Sequence, residues 1–494
     1  MFPRSSGILM PISSLPSRYG IGTLGKEAYN FIDFLQLSKQ RYWQILPIGP
    51  ASYGDSPYSS FSSYAGNPYF IDLEALIEEG ILTRKDCSGL DSNDNYIDYE
   101  KQFNLRYEIL YKAFVNCKDE YSKKLNEFES NNNWVHDYSL FMALKYHFNQ
   151  MSWYEWDEDI ASRNKVVLEK YEWLLKEKIE FWVFLQYKFF EQYYALKVYA
   201  NKKNIFIIGD MPIYAAEDSV DVWAEREIFV TNEKQRPSLS AGVPPDAFSD
   251  EGQLWGNPIY NWGYLKEKSY EWWIKRLSWH CKLFDVIRID HFRGFDEYWA
   301  VPSDSLNAVN GRWYPAGGRE LFELAIKKFG KINIIAEDLG IITESVTQLK
   351  SKFNFPGMKV LQFAFDGNSF NPYLPKNYEE NCVAYTGTHD NDTLKGWLEK
   401  LDASSKNYVA ECCGISSDEF TDTNKVIYKI IDILCTSKAN ICIVPLQDYL
   451  CLGSEARINT PSTLGNNWMW RVKRELLTSE LAENIKKIAD KTER

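Results

Sequence analysis

Asp290 ends a short apolar run, Asp285-Val286-Ile287-Arg288-Ile289-Asp290-His291-Phe292. In an extended strand Val286, Arg288 and Asp290 fall on one face, because successive side chains alternate. An arginine and a carboxylate two residues apart at a strand tip are costly to bury unless paired or used. A cation beside Asp290 favours the charged form that a carboxylate nucleophile requires. Two more acids close apolar runs: Glu337 in Ile334-Ile335-Ala336-Glu337-Asp338, and Asp390 in Thr386-Gly387-Thr388-His389-Asp390-Asn391. A single strand-end acid is usually a cap or an ion-pair partner. Three at one rim, two of them beside a cation or an imidazole, suit retaining glycoside chemistry. That chemistry needs an ionised nucleophile, a protonated acid and a third group holding the substrate's hydroxyls.

Positioning three acids at one rim requires strands that end together. Apolar runs of strand length occur at 7–12, 42–48, 205–211, 285–291, 332–338, 359–365, 382–386 and 441–447, with helical patterns such as 27–37 and 319–329 between them. Eight strands alternating with helices indicate an α/β fold, a (β/α)8 TIM barrel, whose chemistry sits at the C-terminal strand ends. An open doubly wound sheet is the alternative, and the even count favours the barrel. The chain reads as one catalytic domain over 1–494. It is interrupted by a largely helical, aromatic insertion at about 51–204 and a loop-rich one at about 214–278, both walling a cleft.

Composition narrows the partners. A net charge of −12 without a Lys/Arg block argues against nucleic acid. No stretch approaches the apolar length of a membrane span, and the apolar start broken at Pro11 is too brief for a signal peptide. Nine unpatterned cysteines fit reduced thiols in a cytoplasmic protein. The 17 Trp, 32 Tyr and 28 Phe fit either a large core or a cleft lined with rings that stack on sugars.

Other motifs lack their context. Gly20-x-Gly22-x-x-Gly25 matches a dinucleotide fingerprint, but residues 13–19 separate it from the strand, and no acidic ribose ligand ends the second strand. Asp91-x-Asn93-x-Asn95 begins like a calcium loop, yet its sixth and twelfth positions are Tyr96 and Gln102. The five histidines have no metal-ligand spacing. Neither cofactor nor metal is expected.

The chain resembles the amylomaltases, 4-α-glucanotransferases of glycoside hydrolase family 77. The likeness rests on Tyr53-Gly54-Asp55-Ser56-Pro57-Tyr58, Gly209-Asp210-x-Pro212-Ile213-Tyr214, Gly242-Val243-Pro244-Pro245-Asp246 and Gly252-Gln253-Leu254-Trp255-Gly256-Asn257-Pro258. It continues through Arg288-Ile289-Asp290-His291, Ala336-Glu337-Asp338-Leu339-Gly340, Thr388-His389-Asp390-Asn391 and Gly453-Ser454-Glu455-Ala456-Arg457 with Asn459-Thr460-Pro461. The resemblance implies Asp290 as nucleophile, Glu337 as general acid/base and Asp390 as transition-state stabiliser. Arg288 would orient Asp290, and His389 would bind the sugar beside the scissile bond. Residues 244–258 would form a loop over the cleft, with Asp246, Gln253 and Trp255 touching glucan. Asn459, Ser56 and Tyr58 are further sugar contacts, and Asp210 is either structural or substrate-binding. The implied partners are α-1,4-glucans and malto-oligosaccharides, as donor and acceptor in transfer. An α-amylase-like hydrolase and a non-catalytic glucan-binding barrel are the competing readings.

Overall fold

The computed structural model describes residues 2–494 apart from Tyr53, Asn93, 233–235, 246–248, 417–419 and Thr421. Its strands are β1 (Ser5–Leu9), β2 (Tyr42–Gln44), β3 (Phe206–Met211), β4 (Leu239–Val243), β5 (Gln253–Pro258) and β6 (Val286–Ile289). They continue as β7 (Glu297–Pro302), β8 (Arg312–Pro315), β9 (Ile334–Ala336), β10 (Gly357–Val360), β11 (Cys382–Tyr385) and β12 (Ile441–Pro445). Eight of them form one parallel sheet in the order β10-β11-β12-β1-β2-β3-β6-β9. Across the seam Ala336 N–H donates to Pro356 O at 2.9 Å, so the sheet is nearly closed into the expected (β/α)8 barrel.

Several strand boundaries differ from the sequence reading: β2, β6, β9 and β12 are shorter than expected, and β1 and β10 are displaced. β1 starts at Ser5 instead of residue 7, because Ser5 and Ser6 are buried despite their polarity. It stops before Pro11, which has no N–H to continue the ladder. β10 ends at Val360, after which Leu361–Phe363 tightens into a 3-10 turn.

Strand alternation sorts the apolar side chains into two sets. Leu9, Ile208, Val286, Ile335, Val383 and Ile441 pack together inside the barrel. Ile8, Trp43, Ile207, Ile287, Ala384 and Val444 belong to the larger core beneath the helices. The register pairs Ile208 with Val286 and Asp210 with Arg288, so the alternation that turns Val286 inward also turns Arg288 into the barrel mouth. One rung beyond the named strands, Asp290 N–H donates to Met211 O and Glu337 N–H donates to Ile289 O, each at 3.0 Å. The acids thus keep their backbones in the ladder while their side chains project over the rim.

Between β2 and β3 run the helices Tyr107–Asn131, Trp134–His147 and Lys176–Lys202. The last of these grips the segment that follows Tyr58. Gln186 bonds both the N–H and the C=O of Gly66 (2.8 and 3.0 Å), and Gln192 does the same at Asp72 (2.7 and 3.3 Å). Gly66 is needed for this approach: a Cβ there would lie 2.0 Å from the Phe189 ring.

The four-stranded antiparallel sheet β5-β4-β7-β8 has no counterpart in the sequence reading. β4 and β5 contain Gly242, Gly256 and Pro258, which read as loop residues. Their partner β7 lies beyond β6, so the pairing is long-range and invisible to a local pattern. Gly252 makes the β4–β5 turn at φ +67, where a Cβ would meet Val243 O at 2.4 Å.

At the opposite end of the barrel, the side chain of Arg494 donates to the carbonyls of Ser5, Cys435, Ser437, Ala439 and Asn440. Arg494→Ala strips donors from buried acceptors and should cost about 2–3 kcal/mol. Calorimetry should show a melting temperature lower by a few degrees, with far-UV circular dichroism at 25 °C unchanged.

Candidate active site

Arg288 is 3 % exposed and bonds through Nη1 to both Asp210 oxygens, at 2.8 and 2.7 Å, and to Asp290 Oδ1 at 3.0 Å. Burial opposes the guanidinium charge, but Asp210 and Asp290 outweigh it and hold Arg288 protonated. The Asp210 side chain is fully enclosed. Its Oδ2 also accepts the Tyr58 hydroxyl at 2.8 Å. Asp210 therefore lies beneath the cleft, supporting Arg288 and Tyr58.

Glu337 is held by backbone. Its Oε2 accepts His291 N–H at 2.7 Å and its Oε1 accepts Leu339 N–H at 2.8 Å. His291 reaches this position with φ +50, immediately after Asp290. Burial pushes the Glu337 carboxyl up to about 7, reinforced by Asp290 and opposed by Arg288 and the two amides. A carboxyl balanced near neutrality can give and take a proton in one cycle.

Asp390 is treated in the opposite way. Burial would raise its pKa, but His389, Asn459 and Arg288 overcome this and hold its carboxyl well below the usual range. His389 Nε2 lies 3.3 Å from Asp390 Oδ2, and Asn459 Nδ2 donates to Oδ1 at 2.6 Å. The His389 ring stacks on Tyr58 with centroids 5.0 Å apart, and Trp468 closes the cluster at 5.9 Å from His389. Arg457 fixes the backbone here, donating to Asp390 O at 2.6 Å and Asn459 O at 2.7 Å.

Asp290, Glu337 and Asp390 line one cleft of about 490 Å³ with Arg288, His389, Ser56, Tyr58, Gln253, Trp255 and Asn459. That size suits a small-molecule site. Asp246 lies outside the described residues. Gln253 and Trp255 come from β5, where Trp255 Nε1 donates to Gln253 Oε1 at 3.2 Å. Trp255 also meets His291 edge-on at 4.8 Å. The sequence reading gave no role to Tyr214, His291, Arg457 or Trp468, although the first three stand within its quoted motifs. Their positions depend on the antiparallel sheet and the stretch after β12, which spacing does not reveal. Among the described residues no group of three or more His, Cys, Asp and Glu could hold a metal ion. Gly25, the last glycine of the dinucleotide-like run, lies against the Asp72 carboxyl, where a Cβ would come within 2.1 Å of Asp72 Cγ.

Because the Asp290 charge helps keep Glu337 protonated, Asp290→Asn should lower the Glu337 pKa from about 7. Carbon-13 NMR titration of glutamate-labelled protein reads the direction; a pKa unchanged or raised contradicts the coupling.

Comparison with known proteins agrees along the whole length. The profile of the 4-alpha-glucanotransferase family matches residues 10–478. A 4-alpha-glucanotransferase of Clostridium butyricum is 51 % identical over 480 residues, covering 96 % of this chain and 98 % of that one. The Thermus thermophilus 4-alpha-glucanotransferase is 43 % identical, covering 100 % and 99 %. A solved amylomaltase from Streptococcus agalactiae, in complex with acarbose, superposes with a TM-score of 0.96 at 42 % identity, covering 99 % of each chain.

Proposed function

This chain belongs to the 4-alpha-glucanotransferase family, and on that premise we propose that Asp290, Glu337 and Asp390 carry the transfer it catalyses. The protein is an enzyme that moves glucan segments, and its family acts on α-1,4-glucans and malto-oligosaccharides. One observation supports the residue assignment above others. A carboxyl poised near pH 7 shares one cleft with a second carboxyl group bonded to a buried guanidinium, the pairing of acid and nucleophile that retaining transfer needs.

In this reading protonated Glu337 gives its proton to the glycosidic oxygen as Asp290 attacks the anomeric carbon; the glycosidic bond breaks, the leaving glucan departs with a free 4-hydroxyl, and a glycosyl-enzyme ester remains. Asp390, Asn459 and His389 hold the donor sugar's hydroxyls, and their grip tightens as positive charge grows on the ring. The 4-hydroxyl of a second glucan then attacks the anomeric carbon. Glu337, now ionised, takes that proton, and Asp290 departs as carboxylate. Transfer succeeds only if the acceptor occupies the cleft in place of water. Trp255, Tyr214 and Trp468 offer apolar faces for that exclusion. Asp210 acts indirectly, through Arg288 and Tyr58.

The two long connections on either side of β3 belong, in this reading, to one catalytic domain built on the barrel. All nine cysteines are free thiols, which supports a reducing cytoplasmic compartment. Among the described residues no helix is long and apolar enough to cross a membrane.

Incubation with maltotriose tests the reading. Glucose plus a ladder of longer oligosaccharides is the expected product set; shorter sugars alone mean hydrolysis, and unchanged maltotriose favours the non-catalytic glucan-binding reading. Asp290→Asn should abolish turnover while leaving circular dichroism unchanged, and retained turnover removes Asp290 as nucleophile. The glycosylation rate should fall as pH rises through about 7, where Glu337 loses the proton it must donate. A rate flat from pH 6 to 9 contradicts that role.

A further inference from the structure

His389 and Asp390 ride on a loop that leaves the end of β11 and returns at the helix Leu394–Lys400. One carboxylate ties its two ends together. Asp448, on the single turn Leu446–Tyr449 after β12, accepts the Thr386 hydroxyl on Oδ2 at 2.5 Å and the Leu394 N–H on Oδ1 at 2.7 Å. Thr386 immediately follows β11, and Leu394 is the first residue of the helix. Asp448 is 1 % exposed and Thr386 is 0 % exposed.

Other contacts hold the loop between these ends. Arg457 takes Asp390 O, the Asn459 N–H donates to His389 O at 3.1 Å, and Gln362 donates to Asp392 O at 2.9 Å. None of them fixes the distance between the ends. That distance sets how far the loop bulges over the barrel mouth, and so where Asp390 points.

Among the described residues no cation forms an ion pair with Asp448. Burial pushes its carboxyl up to about 6, against the lowering effect of the Leu394 and Thr386 hydrogen bonds, and the charge of Asp392 adds to the rise. A buried acid without a cation is an expensive way to fill space. An apolar side chain of similar volume would pack at lower cost, so the selected property is the ability to bond two donors eight positions apart in the chain.

We propose that Asp448 is a positioning residue of the transfer reaction, clamping Thr386 to Leu394 so that Asp390 and His389 meet the donor sugar in the reactive geometry. This rests on the reading that Asp390 and His389 hold that sugar. A misplacement of about 1 Å in such a group costs on the order of 100-fold in rate.

The test measures kcat and KM for maltotriose disproportionation by Asp448→Ala, Asp448→Asn, Thr386→Val and Asp390→Asn, with circular dichroism to establish folding. Asp448→Ala should lose on the order of 100-fold in kcat with little change in KM. Asp448→Asn should restore most of the loss, because its carbonyl still accepts from Leu394 while its amide donates to the Thr386 oxygen. Thr386→Val removes one end of the clamp and should lower kcat by a smaller factor. Combined with Asp448→Ala it should add nothing further. Full kcat in folded Asp448→Ala, a change confined to KM, or a loss that Asp448→Asn leaves in place overturns the proposal. If Asp448→Ala fails to fold, full kcat in Thr386→Val overturns it instead. Full activity in Asp390→Asn would refute the assignment of Asp390 itself, a result separable from failure of the clamp.

Discussion

A guanidinium inside a barrel is tolerated only where its charge is met at once, and Arg288 is met by two acids from adjacent strands. Its partner Asp210 stands directly across the β3–β6 register, and Asp290 follows two residues later on the same face. From this pair the site extends outward by contact. Asp210 orients Tyr58, Tyr58 stacks on His389, and His389 faces Asp390. Removing the guanidinium would leave the enclosed Asp210 carboxylate without a counter-charge, facing Asp290 with Glu337 close by. The cation therefore decides whether three acids can share one mouth.

The acids are held by different means, and the difference decides their chemistry. Asp390 is surrounded by side-chain donors and an imidazole, all of which favour its charged form. Glu337 receives two backbone N–H groups, yet burial and the nearby Asp290 outweigh them. Backbone donors tied to the strand ends cannot turn away when the proton leaves. Glu337 is consequently oriented in both of its protonation states, as the acid-then-base role proposed for it requires.

The barrel and its three acids were legible because each acid follows an apolar run, and strand periodicity with strand ends is a local signal. Arg288 was legible for the same reason, through its place two residues before Asp290. Asp210 was visible as a residue, but not its enclosure, since burial depends on the register with β6. The sheet carrying Gln253 and Trp255 was hidden: β4 pairs with β7 across the whole of β6, and its glycines imitate a loop. Asp448 was equally hidden, as one acid after an apolar strand and 58 positions beyond Asp390, with nothing in its neighbourhood to mark the two donors it holds. Contacts set by long-range closure have no local signature to read.

The paired glutamines of the helix Lys176–Lys202 act as a ruler for the segment from Gly66 to Asp72. Gln186 and Gln192 are six residues apart, as are the Gly66 and Asp72 that they bind. Deleting or inserting one helical residue between them would rotate one amide by about 100° relative to the other, so only one grip could survive. Length variation among relatives should therefore gather outside this stretch, in the turns joining the helices, while the interval from 186 to 192 stays fixed in count even where its side chains change.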